Sequence, residues 1–324
     1  MTDSQPHPTT TDAGIAVEND EQSLTVGAGG RPVLLHDNCL IEQWRVYEDS
    51  LHEASVERAY LRAGLDQAIT EGALLVEYQP VVDLRKERVA GYEALVRWQH
   101  PTMGRLGPDR FIPLAENTGQ IMALGRWVLR EAVSQAATWS ADAWVGINVS
   151  GRQFADPGFV DAVRSALGES GLAPQRVVLE VTESSVLEHG SPQVRGVLSA
   201  LKSLGVRIAL DDFGTGYSSL SHLREIPVDI LKIDKSFTAG ITVSRDAATL
   251  VEGIVRIAHA LGIEVIAEGI ESPQQRDRIA ATHCRFGQGF WFGRPMRPAQ
   301  VEESLRSRTV LRSRAPLTSV EALM

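Results

Sequence analysis

Val206-Arg207-Ile208-Ala209-Leu210-Asp211-Asp212-Phe213-Gly214-Thr215-Gly216-Tyr217 carries a short apolar run into two adjacent acids and a glycine-flanked loop. Two neighbouring carboxylates are costly to hold together unless positive charge lies between them, and a metal ion or two is the usual remedy. The plainer alternative is an acidic turn after a strand, with glycine supplying positive backbone angles. The apolar run itself reads as one strand of a series. Strands are also predicted over residues 76–84, 89–98, 145–149, 177–182, 230–233, 265–267 and 287–292, with helical periodicity clearest over 121–139, 159–167, 194–204 and 247–261. Strands alternating with helices imply a mainly parallel sheet with right-handed crossovers. Eight of them in one domain predict an α/β fold, a TIM-like (β/α)8 barrel. The first two runs are separated only by Arg85-Lys86-Glu87-Arg88, too short for a parallel crossover, so the first strand is expected to be antiparallel.

Polar residues fall where such runs end. Glu93 and Arg97 lie in the second run, Asn148 follows Ile147, and Glu180 and Glu183 close the fourth. Asp211 and Asp212 follow Leu210, Lys232 and Asp234 flank Ile233, Glu268 follows Ala267, and Gln288 lies in the last run. Strand C-termini of a barrel converge on one face, where chemistry is found. Lys232 and Asp234 share a face by alternation, whereas Asp211 and Asp212 meet one site only if the chain curls there. Glu93, Asn148, Glu180, Asp211 and Asp212 offer oxygen alone, which suits magnesium or manganese rather than zinc. His100, just before Pro101, is expected to sit in a loop as a positioning or structural residue. Two oxygen-bound cations sharing a carboxylate clamp a phosphoryl displacement, so metal-assisted phosphoester hydrolysis is the expected chemistry.

With 324 residues, 43% of them hydrophobic, the chain can bury a full core, and it reads as soluble and globular. Its formal charge of -9 argues against a nucleic-acid polymer as partner, though not against a small phosphate ligand met through a metal. No apolar run is long enough to cross a bilayer, so no membrane insertion is expected. The polar start Met1-Thr2-Asp3-Ser4 and the pair of cysteines, Cys39 and Cys284, suit a cytoplasmic setting. Residues 1–55 are expected to form an N-terminal extension, largely disordered with at most a short helix, residues 56–306 the barrel, and residues 307–324 a solvated tail.

One ordered series of motifs is highly specific. It comprises Tyr78-Gln79-Pro80, Glu93-Ala94-Leu95-Val96-Arg97-Trp98, Asn148-Val149-Ser150, Glu180-Val181-Thr182-Glu183, Asp211-Asp212-Phe213-Gly214-Thr215-Gly216-Tyr217, Leu231-Lys232-Ile233-Asp234, Ala267-Glu268-Gly269-Ile270-Glu271 and Gly287-Gln288-Gly289-Phe290. Over residues 56–306 the chain resembles the EAL-domain family of cyclic di-GMP phosphodiesterases. Gly151, Ile270, Ser272 and Trp291 depart mildly from its usual wording, and none removes a ligand. The resemblance implies hydrolysis of cyclic di-GMP to linear pGpG, with two cations, Mg2+ or Mn2+, in the site. It places Glu93, Asn148, Glu180 and Asp211 on one cation, with Asp211 and Asp212 on the second. Lys232 would touch the attacking water or the phosphate, and Glu268 would act as general base, with Asp212 beside them. Gln79, Arg97, Asp234 and Gln288 would contact substrate. Glu183 would tether the loop after Asp212, which couples metal binding to dimer contacts, and a homodimer is expected. Glu271 reads as a loop or helix-start anchor.

Alternatives stand beside several of these readings. Arg97 could pair with a neighbouring acid and Gln79 could bond backbone at the barrel mouth. Phe290, Trp291 and Phe292 read as core rather than as a guanine platform. At the level of the whole chain, the second reading is a non-catalytic cyclic di-GMP receptor signalling through a partner. A scaffold without ligand binding is the third.

Overall fold

A hairpin opens the barrel. Strands β1 (Leu74–Asp83) and β2 (Arg88–His100) pair antiparallel from Leu74 opposite Trp98 to Asp83 opposite Arg88, with a bulge between Val81 and Val82. In this computed structural model, residues 57–140, 142–183, 185, 192–214 and 226–307 are described. They fall almost wholly within the second of two compact units, Arg58–Met324. The expectations for residues 1–55 and for the tail beyond Ser307 lie outside the described residues.

Asp83 makes the tight connection work. Its Oδ1 accepts backbone N–H bonds from Arg85 and Lys86, both at 3.0 Å, and its Oδ2 faces Arg285 Nε at 3.2 Å. Burial opposes its charge, yet the bonds from Lys86, Arg285 and Arg85 outweigh that cost and hold the carboxyl below its ordinary 3.8. A depressed carboxylate contributes stability above the unfolded value, and that contribution is lost as pH falls through the folded one. Asp83→Ala should therefore cost about 2 kcal/mol at pH 7. In urea titrations the gap should narrow as pH drops below 3.8; a gap independent of pH would show that the charge contributes nothing.

The remaining strands follow as β3 (Gly104–Leu106), β4 (Trp144–Val149), β5 (Val177–Thr182), β6 (Arg207–Phe213), β7 (Ile230–Ile233), β8 (Glu264–Ala267) and β9 (Phe286–Gln288). From β2 through β4 to β9 each neighbour is parallel, and β9 returns to β1 antiparallel, closing eight strands into a ring. Strand β3 adds antiparallel to the outside of β2. Residues 57–71 form the first helix, α1. It is followed by α2 (Pro108–Thr118), α3 (Ile121–Ala137), α4 (Phe159–Ser170), α5 (Pro192–Ser203), α6 (Lys235–Ala239), α7 (Arg245–Ala260), α8 (Pro273–Ala281) and α9 (Pro298–Ser307). Local chemistry sets several of their ends. Pro108 starts α2, and Gly119 stops it in the left-handed region at φ 79°. Ser272 and Gln275 cap α8 reciprocally.

The last strand is shorter than predicted, ending at Gln288 instead of continuing to Phe292. Gly289 passes so close to the backbone of Ile270 that a Cβ there would overlap it. The chain beyond bonds back to that residue through Trp291 N–H to Ile270 O at 3.0 Å, and no longer to a strand partner. Phe292 joins the core and Trp291 packs partly against it. Phe290 is exposed beneath the Arg294 guanidinium, 4.1 Å away, so the core reading does not extend to it.

Inside the ring, Val81, Trp144, Val178, Ala209, Ile230, Ile266 and Phe286 form a separate apolar cluster. It plugs the lower barrel. Because side chains of a strand alternate faces, the next inward position on each strand lies two residues on. Those positions are Gln79 on the antiparallel β1, then Gly146, Glu180, Asp211, Lys232, Glu268 and Gln288. Glu93, opposite both Gln79 and Gly146, completes the layer.

Candidate active site

At the centre of that polar layer lies Lys232, 1% exposed. Its Nζ is 2.5 Å from Glu180 Oε2, 2.8 Å from Glu268 Oε1, 2.9 Å from Asp211 Oδ2 and 3.8 Å from Glu93 Oε2. Glu93 is held from both sides, accepting from Asn148 Nδ2 at 2.7 Å and from Gln288 Nε2 at 2.6 Å. Five strands beyond the hairpin thus deliver Asn148, Glu180, Asp211, Lys232 and Gln288 to one volume, and β8 delivers Glu268 from just past its end.

Four carboxylates around one ammonium leave the site short of positive charge. Burial pushes Glu180 well above the carboxylate range, with Lys232 opposing and Glu93 and Asp211 reinforcing. Burial likewise moves Glu268 up to about 8 against the pull of Lys232. Lys232 shows the reciprocal effect: burial opposes its charge, but Asp211, Glu180, Glu268 and Glu93 outweigh it and hold it well above its ordinary value. Asp212 is raised by burial and then by the adjacent Asp211.

The curl required of the acidic pair is present. Asp212 adopts φ 55°, left-handed for a residue other than glycine, and the β6–β7 register shifts between Leu210 and Phe213. Its N–H donates to Asp211 Oδ1 at 2.8 Å. Strand alternation turns Asp211 inward, and Asp212 stays at the exposed mouth. Glu183, buried, accepts from Gly214 N–H at 3.4 Å, the last described residue before the loop. The rest of that loop, with Thr215, Gly216 and Tyr217, lies outside the described residues.

Other expected site residues have partners of their own. Arg97 faces Glu77 Oε2 through Nε at 3.2 Å and donates from Nη1 to Val96 O at 2.9 Å. Gln79 donates to Gly293 O and accepts from Gln288, both at 3.4 Å. Asp234 caps α6, its Oδ1 accepting from Ser236 N–H at 2.9 Å. Although burial opposes its charge, the bonds from Ser236 hold its carboxyl below the ordinary range. Its Oδ2 accepts no bond from Ser236 N–H and is the oxygen more open to a ligand. Glu271 is exposed just before α8, with its backbone N–H on Gln275 Oε1 at 2.8 Å. His100 is not in a loop. It ends β2, buried, with Nδ1 accepting from Met103 N–H at 3.2 Å and its ring edge-on to Trp98 and Tyr60.

Glu77 is the residue that strand reading passed over. Buried beside the mouth, it takes both Arg97 and Arg105. The available signal was a lone acid in Leu74-Leu75-Val76-Glu77-Tyr78, two residues from Gln79 and so on the same face.

The donor set fits a hard divalent cation on one specific observation. Glu180 Oε1 is buried with no hydrogen-bond partner, a costly state for a carboxylate oxygen and a natural one for a metal ligand. As arranged here, the carboxylates turn onto Lys232, and no group of three or more His, Cys, Asp or Glu among the described residues forms a ready metal cluster.

Comparison with known proteins agrees with this geometry. The model of the EAL domain family matches residues 62–295. MucR of Pseudomonas aeruginosa, named a bifunctional diguanylate cyclase/cyclic di-GMP phosphodiesterase, is 39% identical over 263 residues, which are 80% of this chain and 38% of MucR. NbdA of the same organism, named a cyclic di-GMP phosphodiesterase, is 42% identical over 247 residues, 75% of this chain and 31% of NbdA. The chain thus spans well under half of the curated relatives it matches. Among solved structures, the MucR phosphodiesterase in complex with c-di-GMP superposes with a TM-score of 0.71 at 40% identity, covering 75% of this chain and 99% of that one. The EAL domain of Mycobacterium smegmatis DcpA gives 0.62 at 34% identity, covering 74% and 98%. The chain belongs to the EAL-domain family.

Proposed function

We propose that this chain is a metal-dependent phosphodiesterase that opens cyclic di-GMP to linear pGpG. The carrying observation is the polar layer itself: four carboxylates gathered on one buried lysine, with an unpartnered Glu180 oxygen among them. Membership of a family whose members MucR and NbdA are named for this activity supports the same reading. Glu93, Asn148, Glu180 and Asp211 would hold one Mg2+ or Mn2+, with Asp211 and Asp212 serving a second. Bound there, such cations lower the pKa of water and offset charge at phosphorus.

The chain's own groups supply the rest. Lys232, ionised throughout the neutral range, presents positive charge where the attacked phosphate would gain negative charge. Glu268, near 8 and 2.8 Å from Lys232, can exchange a proton at physiological pH and is the general base of this scheme. Arg97, oriented by Glu77, faces the mouth as a phosphate contact, and the amides of Gln79 and Gln288 suit phosphate or guanine.

Chelator-treated protein should be inert toward cyclic di-GMP, and Mg2+ or Mn2+ should restore pGpG formation. Ca2+, which takes more ligands at longer distances, should arrest it. Tight nucleotide binding with metal bound, and no pGpG seen by chromatography, would instead establish a receptor.

A homodimer belongs to the same proposal. Leu250 and Ile257 on α7, with Leu261 at its C-cap and Val243 before it, form an exposed apolar stripe, Val243 being 87% and Leu250 57% exposed. Sedimentation showing only monomer at micromolar concentration would count against it. Among the described residues no helix is long and apolar enough to cross a membrane. The cytoplasmic setting remains part of this reading.

A further inference from the structure

Every strand of the barrel but one places a polar side chain in the layer above the apolar plug; β4 places Gly146 there. Its backbone needs no glycine, because Gly146 is absent from the positive-φ positions. Glycine in a strand interior otherwise weakens the strand, so a close approach is the usual reason for one. The approach is visible. A Cβ built on Gly146 would overlap Glu180 Oε1 and stand 3.0 Å from Glu180 Cδ. Gly146 pairs with Glu93 on one side and, on the other, with Val178, two residues before Glu180 on β5. The same device recurs one layer down, where a Cβ on Gly91 would overlap the Trp144 ring.

We propose that Gly146 is a positioning residue: its missing side chain is the space in which the Glu180 carboxylate lies, and that space sets where Glu180 presents its free oxygen. The inference rests on the phosphodiesterase reading only for its consequence in catalysis. The three atoms nearest a methyl group at Gly146 all belong to side chains: two at the end of the flexible Glu180 and, at 3.5 Å, one of the Trp144 ring. The fold can therefore accommodate alanine by moving Glu180. What moves is the metal ligand of the scheme above, so the damage falls on the site and not on the barrel. Asn148, two residues on, stays where it is because its own strand pairing with Glu180 is through the backbone.

The test uses the full chain with Gly146→Ala, Glu180→Asp and the double variant, read by Mn2+ calorimetry, turnover, melting temperature and a crystal structure. Gly146→Ala should weaken Mn2+ binding and turnover by about 10- to 100-fold, the range typical for loss of a group that orients a metal ligand. Its melting point should stay within about 4 °C of the parent. Glu180→Asp alone should also lose activity, yet combined with Gly146→Ala it should recover roughly tenfold over the alanine variant, because the shorter acid clears the methyl. A merely structural glycine gives additive losses. If Gly146→Ala does not fold, Gly146→Ala/Glu180→Ala should fold, since the obstructing side chain is gone; failure of both overturns the proposal. So does Mn2+ binding by Gly146→Ala equal to the parent, or a crystal in which its Glu180 carboxyl has not moved. Should the parent neither bind Mn2+ nor turn over, the phosphodiesterase reading fails by itself, and the crystal comparison still decides for or against Gly146.

Discussion

Lys232→Met should destabilise the chelator-treated protein at pH 7 by about 3–5 kcal/mol, the usual cost of breaking a buried ion pair from one side. Methionine fills a similar volume but leaves Glu180, Asp211 and Glu268 facing one another without the ammonium now 2.5 to 2.9 Å away. The direction with pH follows from linkage. Lys232 has its folded pKa raised above the ordinary 10.5, so its contribution is complete below that value and is lost only as pH rises beyond it. At pH 7 the parent therefore has the full benefit. In the variant the buried acids must share protons instead, and lowering the pH from 8 toward 5 should narrow the deficit. Urea unfolding in chelator at several pH values measures this. Mn2+ should narrow it too, by binding the folded state alone. Turnover should fall to background with Mn2+ present, because the charge that meets the phosphate is gone. A variant as stable as the parent at pH 7 would mean that the lysine is not the electrostatic centre of the site.

Asp211→Asn separates chemistry from folding. The amide keeps the shape of the side chain, but its single oxygen can accept either from Asp212 N–H, 2.8 Å in the parent, or from Lys232 Nζ, 2.9 Å away, and not from both. Removing one of four acids around Lys232 also relieves repulsion. Against that gain stands one lost bond to a charged group, while Glu180 and Glu268 still hold the ammonium, so stability should fall by no more than about 1.5–3 kcal/mol. Asp211 is assigned to both cations, so its loss should cost more than about 100-fold in kcat, beyond the upper end for losing an outer-sphere partner. Activity at saturating Mn2+ within about threefold of the parent would remove Asp211 from the ligand set.

The alternation of strand side chains carried much of this architecture in the sequence. Ala209 to Asp211, Val178 to Glu180 and Ile230 to Lys232 are each one inward step, so a run that buries its first residue delivers its next inward side chain to the mouth. The hairpin was legible from four residues between two runs, since no parallel crossover fits there. What escaped depended on register or on rotamers. Glu77 meets Arg97 because β1 and β2 align Glu77 with Leu95, and it meets Arg105 because β3 brings that residue alongside β2. Asp234 was grouped with Lys232 by alternation, but β7 ends at Ile233 and the Asp234 side chain caps the helix that follows, a bond to Ser236 N–H that spacing alone does not encode. The interior space at Gly146 exists only relative to the conformation of Glu180, which no spacing encodes.

Crystals of the chain grown with Mn2+ and cyclic di-GMP, examined at a wavelength sensitive to manganese, would address the site most directly. Anomalous peaks should appear among Glu93, Asn148, Glu180 and Asp211, with Asp212 on the outer one. Absence of any peak there, with Glu93, Glu180, Asp211 and Glu268 still gathered on Lys232 alone, would contradict a metal-dependent hydrolase.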